Sequence, residues 1–228
     1  MKFSISIKKL NVAKNIMAIN NIIFDWDGTL GKTLHIWVKG YQNGLNNQGQ
    51  TFSDATIVQD FFYEHDEGQK KYPQIDFRRM INDAYEHLHQ ELQGLELYEA
   101  AQETLAKLTE RGIKIALVTS SPRNILFKGM GRHNLEKYFS SIIAGNEAKE
   151  HKPHPAPFIK TIKNTGSKAT NTLIIGDART DIIAGKAAGM KTCVFTPEDN
   201  RLFYNFESLA AAGADYRISN LMELVEFV

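Results

Sequence analysis

The stretch Ile22-Ile23-Phe24-Asp25-Trp26-Asp27-Gly28-Thr29-Leu30 constrains this chain more than any other. Ile22, Ile23 and Phe24 form a short apolar run with β-branched residues, the pattern of a strand buried on both faces of a parallel sheet. The run stops abruptly at two carboxylates followed by Gly28 and Thr29. Open α/β sheets bind their ligands outside the carboxyl ends of parallel strands, so Asp25 and Asp27 stand where a site belongs. One residue separates them, and in an ideal strand their side chains share a face. Carboxylates that close repel, and a divalent cation relieves the repulsion. A plain strand-to-turn junction also uses Asp and Gly, so the meaning of this stretch depends on the rest of the chain.

Elsewhere the pattern alternates. Residues 98–111 read as an amphipathic helix with Gly112 past its end, and 113–118 as a second buried strand ending in Thr119-Ser120-Ser121-Pro122. A helix over 123–131, a short strand over 142–144 and a proline-opened helix over 155–164 follow. Leu173-Ile174-Ile175 is a third buried strand, running into Gly176-Asp177-Ala178-Arg179-Thr180-Asp181. A helix over 182–188, strands over 191–195 and 214–218 and a closing helix over 221–227 complete the series. Strands alternating with helices predict an α/β fold with a doubly wound parallel sheet.

Residues 31–97 break the alternation. They are rich in Gln, Asn, His and Tyr, with helical spacing over 33–46 and 75–92. In the second block Met80, Ile81, Ala84, Tyr85, Leu88 and Leu92 form the packed face, and Ile75, Arg79, Asn82, Glu86, His89 and Gln93 the wet one. The expected organisation is a core of 19–30 and 98–228, a small inserted helical cap over 31–97, and an N-terminal extension over 1–18.

Composition narrows the function classes. The 228 residues carry a net charge of +1, which gives no global electrostatic case for nucleic acid or an anionic membrane. Cys193 is the single cysteine, so no internal disulfide is possible, and it reads as a buried thiol. No apolar run is long enough to span a bilayer. Lys8, Lys9, Asn11, Lys14 and Asn15 interrupt the basic N-terminus and leave no secretory apolar core. Met17, just before the first strand, reads as the natural start, so residues 1–16 are expected to be dispensable. A cytoplasmic monomer or homodimer is the expectation.

The strand ends carry polar groups of matched kinds. The first brings Asp25 and Asp27, the second Thr119 and Ser120, and the third Asp177 and Asp181, with Lys152 in the preceding segment His151-Lys152-Pro153-His154-Pro155. Parallel strands put these ends on one edge, where they can converge. Carboxylates with loop carbonyls make a hard oxygen site suited to Mg²⁺. A lysine and a hydroxyl beside it suit the oxygens of a phosphoryl group. The implied chemistry is attack by one carboxylate on phosphorus, with another carboxylate as acid and then base. Lys149 is a rival to Lys152, and Asp181 also suits the start of the following helix.

Asp25-Trp26-Asp27-Gly28-Thr29-Leu30, Val118-Thr119-Ser120-Ser121, Lys152-Pro153 and Gly176-Asp177-Ala178-Arg179-Thr180-Asp181 resemble, in order, the four motifs of the haloacid dehalogenase superfamily. Ala184-Gly185-Lys186-Ala187-Ala188-Gly189-Met190 is similar to the stretch that follows in its phosphoglycolate-phosphatase-like branch. The resemblance implies Asp25 as nucleophile and Asp27 as general acid and base. It implies Thr119 and the Ser120 amide on the phosphoryl group, and Lys152 neutralising both nucleophile and phosphate. Mg²⁺ would take Asp25, the Asp27 carbonyl, Asp177 and Asp181. The implied enzyme is a Mg²⁺-dependent phosphatase of small soluble phosphate monoesters. The alternatives are a phosphomutase using the same aspartyl-phosphate, or a phosphate-binding regulatory module without turnover. Gly176-Asp177 stands where sugar phosphomutases of this branch usually carry Glu-Asp, which favours the phosphatase. Gly31-Lys32-Thr33 and Leu97-Tyr98-Glu99-Ala100 depart from many relatives and weaken an assignment to phosphoglycolate itself. The cationic cap residues Lys70, Lys71, Arg78 and Arg79 are read as a solvated face, with substrate contact by one of them as the alternative.

Overall fold

A computed structural model describes residues 19–62, 65–226 and 228. The reading of Met17 as the start, and of residues 1–16 as dispensable, lies outside the described residues. Six parallel strands form one sheet in the order β3-β2-β1-β4-β5-β6. They are β1 (Asn21–Phe24), β2 (Lys114–Val118), β3 (Ser141–Ile143), β4 (Thr172–Gly176), β5 (Lys191–Phe195) and β6 (Tyr216–Ile218). β1 lies at the centre, with Ile22 facing Ile115 on one side and Leu173 on the other. Here the strand order reverses, which is where doubly wound sheets open a crevice.

The two-residue period of each strand sorts its side chains between two cores. Ile22 and Phe24, Ile115 and Leu117, and Leu173 and Ile175 pack on one face with Leu105 and Leu108. Ile23, Ala116, Val118 and Ile174 pack on the other with Phe158 and Ala184. The flanking helices are α5 (Ala101–Glu110), α6 (Arg123–Gly131), α7 (Ala156–Thr165), α8 (Arg179–Ala187) and α9 (Phe206–Ala211). Fully buried strands leave no polar face, which is why β1 and β4 read as continuous apolar runs.

Between β1 and α5 lie α1 (Leu34–Asn46), α2 (Asp54–Phe61), α3 (His65–Lys71) and α4 (Phe77–Glu91). The chain leaves and re-enters the sheet side by side: Gly31 bridges Leu97, and Lys32 N donates to Glu96 O at 2.9 Å. α1 lies against α4, and Gly44 permits the approach, since a Cβ there would stand 2.7 Å from Met80 O. Met80, Ala84 and Leu88 along α4, and Leu92 just past its end, are fully buried. Truncating one of the larger ones to Ala costs about 2–5 kcal/mol by the usual core penalty.

Several boundaries differ from the sequence expectations. Ile75, assigned to the wet face, is 4% exposed. It precedes α4 in a turn closed by Ile75 N on Tyr72 O, so the helical period does not apply to it. α2, α3 and α9 have weak patterns and were not anticipated. The closing segment is a 3₁₀ stretch over Leu221–Glu226 that buries Leu221 and Leu224, an i, i+3 pair. α8 begins at Arg179 rather than Ile182 because Asp181 caps it from within: its Oδ2 accepts from Ala178 N at 3.3 Å. Cys193 is buried, as expected. Among the described residues no helix is long and apolar enough to cross a membrane.

Candidate active site at the carboxyl edge of the sheet

β1 hands its ladder on to Asp25, whose N–H donates to Ile175 O at 2.8 Å. The chain then turns, with Leu30 N and Gly31 N both donating to Trp26 O at 3.0 Å. Trp26 is fully buried, as packing rather than as a contact surface. Gly28 adopts φ +74°, and a Cβ there would lie 2.0 Å from Asp177 Oδ2. Glycine therefore meets two demands at once: a left-handed turn and a close approach to a buried carboxylate. Asn200 Nδ2 donates to Gly28 O at 2.9 Å, and Tyr98 donates to Asn200 Oδ1, so the turn is fixed from behind.

The two carboxylates of this turn diverge. Asp25 faces inward, its Oδ1 2.8 Å from Lys152 Nζ. Lys152 Nζ also donates to Asp181 Oδ1 at 2.7 Å, and its side chain is only 5% exposed. Lys149, the sequence rival, is exposed. Asp177 is wholly buried, with one oxygen accepting from Thr29 Oγ1 at 3.0 Å. Ligand atoms of Asp25, Asp177 and Asp181 lie within 4.8 Å of one another.

Asp27 points the other way, half-buried, and takes four donors. Thr33 Oγ1 and Trp37 Nε1 donate to Oδ1 at 2.7 and 2.8 Å. Ser121 Oγ and Thr119 Oγ1 donate to Oδ2 at 2.6 and 3.3 Å. The Asp27 carboxylate thus stands outside the acidic cluster, and Thr119 meets it instead of open space. Ser120 is exposed and lines the cavity over the site together with Asp25, Asp27 and Lys152.

Thr33, Trp37 and Ser121 were not singled out by sequence reasoning. Thr119 and Ser121 alternate on the extended chain after β2, and that two-residue period was available to find Ser121. Thr33 and Trp37 are four residues apart at the start of α1, so both reach back to one atom.

Burial and charge set the ionisation. Burial, with Asp181 and Asp27 adding to it, pushes Asp25 up to about 7 against the pull of Lys152. Burial, then Asp25 and Asp181, hold Asp177 well above the usual carboxylate range. Burial works against the charged form of Lys152, but Asp181 and Asp25 outweigh it and raise its pKa. One ammonium faces three carboxylates, and Asp177 Oδ2 is buried with no hydrogen-bond partner among the described residues. An oxygen-only, over-charged cluster with an orphaned acceptor fits a hard divalent cation such as Mg²⁺.

Residues 22–195 match the haloacid dehalogenase-like hydrolase family. The pyrophosphatase PpaX of Halalkalibacterium halodurans is 31% identical over 186 residues, covering 78% of this chain and 84% of that protein. The pyrophosphatase PpaX of Bacillus mycoides is 32% identical over 183 residues, 77% and 83% of the two chains. Among solved structures, a predicted phosphoglycolate phosphatase from Haemophilus somnus superposes with a TM-score of 0.78 at 22% identity, covering 93% of this chain and 99% of the other. A hydrolase of the same family from Deinococcus radiodurans, with bound phosphate and sodium, gives 0.73 at 21% identity over 90% and 93%. The sheet, the motif order and the sequence match agree: this chain belongs to the haloacid dehalogenase-like hydrolase family.

Proposed function

We propose that this protein is a Mg²⁺-dependent phosphatase of small phosphate monoesters, acting through a phosphoryl group carried on Asp25. The observation that supports it best is the divergence of the two carboxylates. Asp25 lies beside the Lys152 ammonium and lines the cavity, as a nucleophile must. Asp27 lines the same cavity, held in a fixed orientation by hydroxyl and indole donors and apart from Lys152 and the acidic cluster, the placement of a second carboxylate that can serve the leaving oxygen and the water.

In the first step an Asp25 oxygen attacks phosphorus, the ester P–O bond breaks, and Asp27 protonates the leaving oxygen. In the second, Asp27 takes a proton from water, which attacks phosphorus and returns Asp25 as a carboxylate with release of phosphate. Lys152 offsets the charge of Asp25 and of the phosphoryl oxygens, and the Ser120 amide and Thr119 hydroxyl are assigned to those oxygens. Asp25, Asp177, Asp181 and the Asp27 carbonyl would hold Mg²⁺. When bound it supplies charge neutralisation for the carboxylates and the phosphoryl group. Residues 31–97 are proposed as a cap over this site, excluding water from it when substrate is held.

Asp25→Asn tests the assignment. Turnover of 4-nitrophenyl phosphate should vanish together with acid-stable label from radioactive substrate, because the amide is a poor nucleophile. Retained turnover in a folded Asp25→Asn protein would overturn it.

A further inference from the structure

The cavity above Asp25 has a volume of about 400 Å³, at the small end for ligand sites. Its floor is ionic and its roof is not. α1 contributes Trp37 and Tyr41, and α4 contributes Ile81 and Tyr85, each an i, i+4 pair that the helical period sets on one face. Phe62 closes the side. The rings pack edge to face: Trp37 lies 5.7 Å from Tyr85, and Tyr41 lies 5.9 Å from Phe62.

The cap's own cations are elsewhere. Lys71 pairs with Asp60 at 2.8 Å, and the Arg79 guanidinium reaches Asn47 O. Lys70, Arg78 and Arg79 are exposed, and none of them lines the cavity. Among the described residues Lys152 is the one Lys or Arg that does, and it serves the floor. A second anionic group on the substrate would therefore lie against ring faces, whose electrons repel it; apart from Lys152 the one basic side chain among the described lining residues is His151.

Resting on the phosphatase reading above, we propose that the substrate is a monophosphate ester whose leaving group is an uncharged, apolar, ring-bearing alcohol, not pyrophosphate or a second phosphorylated group. This sets the chain apart from the relatives whose name states pyrophosphate as the substrate.

The test is kcat/KM of the full chain with Mg²⁺ on 2-phenylethyl phosphate, ethyl phosphate, inorganic pyrophosphate and 4-nitrophenyl phosphate. The first two release alcohols of closely matched acidity, so their ratio reads the roof and not the chemistry. That ratio should be about 30 or more, since even one methylene in an apolar pocket discriminates by about 10–200-fold. 2-Phenylethyl phosphate should also exceed pyrophosphate, although pyrophosphate has the better leaving group. Tyr85→Ala should reduce the phenylethyl-to-ethyl ratio at least about fivefold, mainly through KM. Ile81→Lys should raise pyrophosphate relative to 2-phenylethyl phosphate. A wild-type ratio near one, or pyrophosphate in first place, overturns the leaving-group assignment and leaves the phosphatase reading standing. No turnover of any ester overturns the phosphatase reading, and this inference with it. If a variant fails to fold, the wild-type ratios decide alone.

Discussion

The floor and the roof of the cavity obey different physics. The floor gathers buried charges from separate segments, and each is held by a named partner: Asp25 and Asp181 by Lys152, Asp177 by Thr29. Removing one partner there leaves an uncompensated charge, which is costly out of proportion to its size. The roof is two amphipathic helices whose inner faces are rings and an aliphatic chain. Its contribution is area and shape, so its substitutions should act in graded steps. Trp37 belongs to both: its ring packs with Tyr41 and Tyr85, and its N–H holds Asp27.

If the floor depends on single atoms, Asp27→Asn should produce the largest change in rate short of the nucleophile itself. Loss of an acid/base group typically costs about 10²–10⁴-fold. The loss should approach the upper figure for ethyl phosphate and be much smaller for 4-nitrophenyl phosphate, whose leaving group needs little protonation. The fold should survive, because an amide oxygen still accepts from Thr33 and Trp37, and the hydroxyls of Thr119 and Ser121 can rotate to accept. Equal losses on both esters would mean that Asp27 is not the proton donor.

This contrast also decides what is legible in the sequence. Asp25 and Asp177 stand out because a charge set against the end of a buried strand is costly unless an opposite charge or a ligand meets it; Lys152 and Asp181 stood out only through the motif resemblance, and the structure brings the four together. The strands were legible on the same contrast, as apolar runs with abrupt polar ends. The helical face of α4 was legible too, since Arg79, Asn82, Glu86 and His89 are exposed as their spacing implies. The roof was not. Trp37, Tyr41 and Tyr85 sit at ordinary helical core spacing, and nothing local separates a ring that packs inward from one that faces a cavity. The same holds for α2, a short helix that buries Ile57 and Phe61, the latter against Phe77 of α4, rather than showing a strong period.

The junction residue gives the next test, of middling size. Trp37→Phe keeps a ring in the roof and deletes the donor to Asp27 Oδ1, leaving Thr33 on that oxygen. A hydrogen bond to a charged group is worth about 1.5–3 kcal/mol, so kcat should fall by about 10–150-fold. KM should change little, and the pH–rate profile should move, because the surroundings of the proposed acid/base group have changed. Trp37→Ala should add a rise in KM for 2-phenylethyl phosphate. If Trp37→Phe raises KM and leaves kcat and the pH profile alone, Trp37 belongs to the roof only.

The smallest effect concerns the charge balance of the floor, and it is visible without any substrate. Asp25 is pushed from an ordinary 3.8 up to about 7 by burial first and by its carboxylate neighbours next, and Asp177 is raised as well. Between about pH 4 and 7 the folded protein then binds more protons than the unfolded chain, so metal-free stability falls as pH rises through that window. Lys152, whose pKa is raised, stays charged throughout it and loses its contribution only in strong alkali. Asp60, Glu147 and Asp215 are lowered and work in the opposite sense, gaining stability as pH rises through the acid range and keeping it above. They lie away from the cluster, so they cancel when the protein is compared with and without metal. The difference in Tm between saturating Mg²⁺ and EDTA should therefore be small at pH 5 and grow by several degrees at pH 7.5, at about 1.4 kcal/mol per pKa unit and roughly 2–4 °C per kcal/mol for a chain of this size. Asp177→Asn removes a buried charge and should flatten that rise while raising the Tm in EDTA at pH 7.5. A Tm difference independent of pH, or an Asp177→Asn protein less stable than wild type in EDTA at pH 7.5, would show that the floor is balanced without a cation, and the contrast with the uncharged roof would then rest on shape alone.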